Sequence, residues 1–207
     1  MRNIDINEIE IDLYNLDNKY TGRYETITDL FCLAASDYCE IIGNLNLDLL
    51  KFIQSIANRQ KTELEDFTLL RFNNEVIGLV VCYTSDVIFQ KNIVTNLTLK
   101  KLATPEKRKL LTRKLKVNSF NFPDTKEKYL YISRFSIVPE LQNIGVGRFM
   151  LKSVEGYNKE NLPIYLHVKK SNTRALEFYM KEGFAINVNT GNYFILRKRI
   201  GNNEKTR

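Results

Sequence analysis

The sequence predicts an α/β fold of the α+β kind, in which 207 residues form one domain. Strand-like segments of alternating or continuous apolar residues lie near residues 9–13, 66–72 and 75–83. Apolar residues spaced three to four apart, as on one face of a helix, occupy much of 26–59. A run over 129–184 then has the order strand, glycine-rich turn, helix, strand, helix. These three observations together favour helices packed on a sheet.

The N-terminal part is predicted to contain one strand and two helices. Residues 9–13 alternate apolar and acidic side chains, which predicts a strand with one buried face. A helix is expected from Thr26 to Ile42, ending at Gly43. A second helix is expected to be capped by Asn46 and to extend to about Arg59.

The next part predicts an antiparallel hairpin of residues 66–72 and 75–83. Asn73 and Asn74 join the two strands, and both tolerate the positive φ of a tight turn. Gly78 within the second strand indicates a bulge or a close backbone approach. After Phe184, a further hairpin of residues 185–188 and 193–198 is expected.

The cysteines and the hydropathy favour a chain of the reducing cytoplasm. Cys32, Cys39 and Cys82 are odd in number and lack C-x-x-C spacing, which predicts neither a disulfide framework nor a zinc site. Cys82 is expected to be a core thiol. The N-terminus has no apolar signal segment, and no apolar run is long enough to span a bilayer. A formal charge of +7 is compatible with an anionic ligand.

Residues 91–117 are strongly basic, with nine Lys or Arg and the single acid Glu106. Thr104, Pro105 and Glu106 are typical of a cap, a first helical residue and a favourable N-terminal charge, so a basic helix is expected to extend to about Leu115. The segment lacks interleaved aromatic residues and a base-reading motif, so nucleic-acid binding is disfavoured and a solvated face is the simpler interpretation.

The glycine-rich turn suggests a binding site for an anion. Residues 129–138 form a β-rich segment that ends at Pro139, and residues 142–147 (QNIGVG) lead directly into a helix. Unpaired backbone N–H groups at such a helix N-terminus favour a diphosphate, and glycines let it approach closely. A P-loop is excluded because its Lys-Ser/Thr ending is absent, and Met150 occupies the place of the third small residue of a Rossmann motif.

A second pattern follows at a fixed distance. Residues 164–169 alternate as a strand, and the next helix has the pattern Asn172-x-x-Ala175-x-x-x-Tyr179-x-x-x-Gly183-Phe184. Together with Q-x-x-G-x-G it resembles the two signatures of the GNAT acyltransferase superfamily, over about residues 128–200.

The resemblance implies a central mixed, mostly antiparallel sheet flanked by helices, in which strands 4 and 5 splay apart. It implies an N-acetyltransferase that uses acetyl-CoA as cosubstrate and no metal, with direct attack of a primary amine in a ternary complex. The basic segment 91–117 is then an insertion between strands 3 and 4. A bulge on strand 4 would free backbone groups near Phe135, Ser136 and Ile137 for the pantetheine arm, and Asn172 would contact it or only cap its helix. The expected diphosphate residues are Gln142, Asn143, Ile144, Gly145, Val146, Gly147 and Arg148.

The resemblance also assigns Tyr179 as the acid that protonates the leaving thiolate. A phenol has an ordinary pKa of about 10, above that of a thiol near 8.5, so this proton transfer is favourable. The alternative is that Tyr179 only packs inside the helix layer. Many relatives carry an acid on strand 4, where this chain has Ser133 followed by Arg134. The base is therefore left between His167 and a water chain, and Arg134 between a substrate carboxylate and a neighbouring acid.

Several alternatives stay open at this stage. A CoA-binding regulatory or interaction module without turnover is the main alternative, supported by the missing strand-4 acid. The acceptor is expected to be a small-molecule or protein amine, and the basic segment 91–117 suggests an acidic one. No membrane partner is expected. The sequence does not distinguish a monomer from a homodimer, or acetyl from other acyl groups.

Overall fold

A computed structural model of the chain describes residues 5–14, 24–117, 122–123 and 125–201. One seven-stranded sheet has the order β1-β2-β3-β4-β5-β7-β6, and every neighbouring pair is antiparallel except β4 with β5. The predicted mixed, mostly antiparallel sheet is confirmed. The strands are β1 (Glu10–Tyr14), β2 (Phe67–Phe72), β3 (Glu75–Thr84), β4 (Leu130–Ile137), β5 (Ile164–Lys169), β6 (Ala185–Thr190) and β7 (Tyr193–Lys198).

Helices cover both faces of the sheet, because each face carries apolar side chains that must be buried. The first five helices form one core with their face of the sheet, around Phe31 and Phe52. The last two form the other core, around Met150 and Val154. The helices are α1 (Tyr24–Ala34), α2 (Ser36–Asn44), α3 (Leu49–Ala57), α4 (Ile88–Leu102), α5 (Pro105–Val117), α6 (Val146–Tyr157) and α7 (Thr173–Lys181).

The predicted helix over 26–42 is in fact two helices. Ala35 leaves the helical region (φ −139°, ψ 47°), so α1 ends and α2 begins in a new direction. Gly43 does not end the helix, since α2 continues to Asn44. The predicted cap of α3 is also wrong. Asp48 caps it, accepting a hydrogen bond from the Lys51 N–H at 2.9 Å, because its carboxylate lies three residues before an unpaired helical donor.

The expectation that the cysteines form no disulfide is wrong for two of them. Cys32 and Cys39 are bonded across the break at Ala35, with their Cα atoms 5.6 Å apart. The change of chain direction at Ala35 brings together two helical positions that a straight helix would keep on different turns. Cys82 is free and half-buried, and burial raises its pKa to about 11, so it is the inert thiol that was expected.

The insertion contains one more helix than the sequence predicted. α5 begins at Pro105 as expected, but the residues before it form α4. This helix buries three polar side chains, namely those of Lys91, Thr95 and Thr98. Since these polar residues occupy its inner face, α4 lacks the apolar stripe by which a helix is recognised in a sequence.

Two predicted strand features are confirmed. Asn73 and Asn74 both have positive φ, at 50° and 63°, and form the turn between β2 and β3. Gly78 marks a close approach, since a Cβ atom there would lie 2.8 Å from Ile137 Cδ1. The predicted turn over 189–192 is shorter, because Thr190 still pairs with Tyr193. Within the described ranges, no helix is long and apolar enough to cross a bilayer.

Strands β4 and β5 diverge, as predicted. Their parallel pairing is limited to three positions, Leu130–Ile132 of β4 with Ile164–Leu166 of β5. From Ser133 onward, β4 pairs only with β3, and β5 pairs only with β7. The edge of each strand that faces the other therefore lacks a ladder partner, and a gap opens between them.

Candidate functional site

A cavity of about 600 Å³ lies where β4 and β5 part. Residues 132–135 of β4 and 166–169 of β5 form its floor, and α7 contributes Asn172 and Tyr179. The opposite wall consists of residues 33–38 at the α1–α2 corner and the Asn92, Thr95 and Asn96 side of α4. The cavity thus brings Phe135, Asn172 and Tyr179 together, whereas Ser136, Ile137 and residues 142–148 lie outside its lining.

The turn before α6 has the backbone geometry of an anion site. Asn143 and Gly145 adopt positive φ, at 69° and 99°, and α6 starts immediately afterwards. The first bond within the helix runs from the Phe149 N–H to the Gly145 carbonyl at 3.0 Å. The N–H groups of residues 146–148 therefore have no acceptor inside the helix, and they project with its positive dipole end.

Gly147 connects this turn to the cavity. A Cβ atom built on it would lie 3.4 Å from Phe178 Cζ and 4.0 Å from Phe135 Cε1, which is ordinary van der Waals contact. The protein itself therefore leaves room for a small side chain at Gly147, and the glycine keeps the surface beside Phe135 flat. Such flatness lets a ligand approach the helix N-terminus closely.

Two of the predicted diphosphate residues have protein partners. Gln142 Nε2 donates to the Ile137 carbonyl oxygen at 2.8 Å and so closes the connection from β4 to α6. Arg148 Nε donates to Glu182 Oε1 at 2.7 Å and links α6 to the end of α7. The groups left for the predicted anion contacts are the backbone N–H groups and Arg148, whose side chain is 60% exposed.

Tyr179 is buried, and its side chain contributes to the lining of the cavity. Phe135, Phe178 and Phe184 surround the ring with centroid distances of 5.1 to 5.9 Å. Burial raises the pKa of the phenol above its ordinary value of 10, so the hydroxyl keeps its proton throughout the neutral range. Asn172 caps α7, accepting from the Ala175 N–H at 3.1 Å.

The predicted bulge on β4 lies at Ser133 instead of near Phe135, Ser136 and Ile137. Val81 of β3 pairs with Arg134, and Cys82 pairs with Ile132, which leaves Ser133 without a partner. The extra residue directs both Ser133 and Arg134 toward the helices α1–α5, because a bulge interrupts the alternation of side chains.

A carboxylate that sequence reasoning missed meets this bulge. Glu63, in the connection from α3 to β2, accepts from Ser133 Oγ at 2.6 Å. Its oxygens lie 2.8 and 3.0 Å from Arg134 Nη2, and its side chain is 4% exposed. Arg134 therefore pairs with a neighbouring acid, which is one of the two options that the sequence left for it. The two partners are 70 and 71 residues apart in the chain, so no local pattern reveals them.

Two other acid–base groups line the cavity. His167 Nδ1 lies 2.9 Å from the Tyr131 hydroxyl oxygen. Asp37 accepts from Lys169 at 2.6 Å and from the Tyr193 hydroxyl at 2.7 Å, and the hydrogen bond with Lys169 is the main reason why the pKa of Asp37 is lowered. No group of three His, Cys, Asp or Glu side chains that could hold a metal occurs in the described residues.

The basic residues of the insertion do not line the cavity in the part of the chain that the structure describes. From residues 91–117, only Asn92, Thr95, Asn96 and Leu115 do so. Lys91 is buried and paired with Glu65 at 2.9 Å. The insertion therefore contributes neutral polar groups to the wall of the cavity.

Comparison with known proteins gives a family and a fold. The sequence model of the acetyltransferase (GNAT) family matches residues 28–184. An N-acetyltransferase from Staphylococcus aureus Mu50 is similar with a TM-score of 0.59 and 18% identity, over 84% of this chain and 96% of that chain. A GNAT family acetyltransferase from Elizabethkingia anophelis, with acetyl-CoA bound, has a TM-score of 0.50 and 18% identity, over 94% of this chain and 99% of that one. Among curated proteins, none matches the chain.

Proposed function

The chain belongs to the acetyltransferase (GNAT) family, and on that premise we propose that it transfers the acetyl group of acetyl-CoA to a primary amine. The observation that carries the proposal is the cavity between the diverging strands β4 and β5. Tyr179, which burial keeps protonated, lines this cavity, and the helix N-terminus at Gly147, which we assign to the diphosphate, lies beside Phe135 of the same lining.

The residues around the gap fit acetyl-CoA, which supplies the activated acetyl thioester. The backbone N–H groups of residues 146–148 would hold the diphosphate, within the turn formed by Gln142, Asn143, Ile144 and Gly145. The unpaired edge of β4 at Phe135, Ser136 and Ile137 would hydrogen-bond the pantetheine arm, with Asn172 on the opposite side. The Ile137 carbonyl already accepts from Gln142, so the arm would bind mainly to the backbone N–H groups of this edge.

Tyr179 acts as the acid in this proposal. Tyr179 lines the cavity, and no partner in the described part of the chain holds its hydroxyl. Because burial keeps the phenol protonated, it can donate to a thiolate that leaves next to it. The aromatic rings of Phe135, Phe178 and Phe184 fix the orientation of the phenol, so the donor is already in place when the acetyl group is transferred.

The acceptor amine enters from the other end of the cavity, between the α1–α2 corner and α4. This wall combines apolar groups such as Leu33 and Phe122 with the amides of Asn92 and Asn96. The neutral amides suit an acceptor with polar groups near its amine, whether it is a small molecule or a protein. Charge steering by the basic insertion would act from outside the cavity.

A panel of primary amines with acetyl-CoA tests the proposal, with release of free thiol as the measurement. The panel contains benzylamine, L-lysine, spermidine and a peptide with a free N-terminus. Thiol release above the rate without amine, together with the acetylated product by mass spectrometry, is the expected result. Tight binding of acetyl-CoA by calorimetry without turnover of any amine would instead support the CoA-binding module.

A further inference from the structure

The acceptor amine must lose a proton when it forms an amide, and the cavity offers few groups to receive it. Among the described residues that line it, the carboxylates and the imidazole are Asp37, Glu63 and His167. Asp37 is held by Lys169 and Tyr193 at the rim, and His167 by Tyr131. Glu63 alone lies against the bulge of β4, where the gap between β4 and β5 begins.

Ser133 links Glu63 to the cavity. Its hydroxyl donates to Glu63 Oε1 at 2.6 Å, a short distance typical of a charge-assisted bond. One lone pair of Ser133 Oγ accepts from Arg134 Nη1 at 3.3 Å. A hydroxyl has a second lone pair, which the Tyr83 hydroxyl also approaches and which an amine N–H in the cavity that Ser133 lines would take in its place. Ser133 is thus arranged to pass a proton from an acceptor to Glu63.

The insertion helix α4 holds Glu63 in this place. The Glu63 N–H donates to Thr95 Oγ1 at 2.8 Å, and both groups are buried. Lys91 Nζ donates to the Thr62 carbonyl and to Glu65 Oε2, each at 2.9 Å. The residues on both sides of Glu63 are therefore tied to one helix, and α4 fixes the backbone from which the carboxylate extends.

We propose that Ser133 and Glu63 form the route by which the acceptor amine loses its proton, and that the insertion positions this route through Thr95 and Lys91. The inference rests on the proposed acetyl transfer. It gives the insertion a role that its charge does not explain.

The proton balance of the reaction follows from these positions. The amine nitrogen forms a bond to the acetyl carbon, and the carbon–sulfur bond breaks. The nitrogen gives one proton to Ser133 Oγ, while Ser133 gives its own proton to Glu63. Tyr179 gives its proton to the departing sulfur, and the proton on Glu63 returns to Tyr179 through solvent. The products are an N-acetyl amide and free CoA thiol, without any oxidant or metal.

Other titratable groups lie near Glu63: Asp37 and His167 line the same cavity, Arg134 pairs with Glu63, and Lys91 pairs with Glu65 two residues away. The tyrosines coupled to Glu63 are Tyr38 of α2, Tyr83 of β3 and Tyr131 of β4, and burial raises the pKa of each above 10. Since the proposed route ends on Glu63, any fall of kcat at acidic pH should disappear when this carboxylate is replaced.

The test measures kcat as a function of pH with acetyl-CoA and the panel amine that has the highest kcat/KM. Ser133→Ala removes the relay and keeps the ion pair of Glu63 with Arg134, so its folding is preserved. We expect kcat to fall about 10²-fold, within the range of acid–base catalysis. Glu63→Gln should lower kcat by a similar factor and abolish the fall at acidic pH. The double variant should lose no more than the single ones, because both residues serve one route.

The positioning role of α4 needs its own variants. Thr95→Val removes the hydroxyl without changing the volume, so we expect kcat to fall about tenfold while the KM for acetyl-CoA is unchanged, and Thr95→Ser should restore the rate. The matched control is Lys109→Gln on the exposed side of α5, which changes the charge of the insertion and should leave kcat unchanged.

Four results would decide against the inference. An unchanged kcat in Ser133→Ala, or an acidic limb that persists in Glu63→Gln and disappears in His167→Gln, assigns the proton to another group. A loss in Thr95→Val that Thr95→Ser does not restore refutes the positioning role. If wild-type protein acetylates no amine of the panel, the proposed function fails and this inference fails with it.

Discussion

Tyr179→Phe tests the acid assigned to the leaving thiolate. The substitution removes one hydroxyl oxygen and keeps the ring that packs against Phe135, Phe178 and Phe184. We expect kcat to fall roughly 10²-fold, equivalent to about 2.7 kcal/mol of transition-state stabilisation. Because the hydroxyl has no partner in the described residues, its loss breaks no internal hydrogen bond, and the free energy of unfolding should change by less than about 1 kcal/mol.

The assay is thiol release with saturating acetyl-CoA and the best amine of the panel. The KM for acetyl-CoA should stay within about twofold, since the change acts on the transition state. Tyr157→Phe is the matched control, because Tyr157 is an exposed tyrosine on α6 that does not line the cavity. A variant of Tyr179 that keeps kcat within about twofold, while chemistry limits turnover, would show that water or another group protonates the thiolate.

Two further predictions concern the cofactor turn and the rim. Gly147→Val should weaken acetyl-CoA binding at least tenfold by calorimetry, because the added methyl groups extend over the N–H groups of residues 146–148. Gly156→Val in the same helix is the control and should leave the affinity unchanged. Equal affinity of the two variants would refute the placement of the cofactor at this turn. Lys169 lowers the pKa of Asp37 below its ordinary 3.8, so their pair stabilises the fold at neutral pH and loses this effect as acid protonates Asp37. Asp37→Asn should therefore cost about 0.2–1 kcal/mol in denaturant unfolding at about pH 7. This cost should shrink as the pH falls below 3.8 and through the lowered pKa of Asp37, and a difference that stays constant over that range would contradict the assignment.

Features set by neighbouring residues were predictable from the sequence. Asn73 and Asn74 specify their own turn, because both tolerate the left-handed backbone that a tight hairpin requires. Asn172 caps α7 through a bond to a residue three positions away. The strand, turn and helix around Gly145 likewise follow from local spacing, and so the outline of the turn that we propose for the cofactor could be predicted.

Features that depend on distant contacts were not predictable. Glu63 reaches Ser133 only because α4 holds the connection before β2, and neither segment has a pattern that points to the other. The same helix was missed because it has no apolar stripe. Lys91 and Thr95 lie on its inner face, where hydrogen bonds to distant residues satisfy them. The end of α1 at Ala35 has no breaker residue, and it determines which cysteines can bond.

The single unpaired residue of β4 exchanges the faces of the sheet on which its odd-numbered and even-numbered residues lie. Before Ser133, the odd-numbered Tyr131 faces the core of α1–α5 and the even-numbered Ile132 faces that of α6 and α7. After it, the odd-numbered Phe135 faces α7, where it meets Tyr179. The same residues in a strand without the bulge would alternate unbroken and turn Phe135 away from Tyr179, whereas deleting the extra residue together with the bulge would leave Phe135 on its present face. The bulge at Ser133 thus determines whether the two halves of this strand can serve the acceptor end and the thioester end proposed for the same cavity.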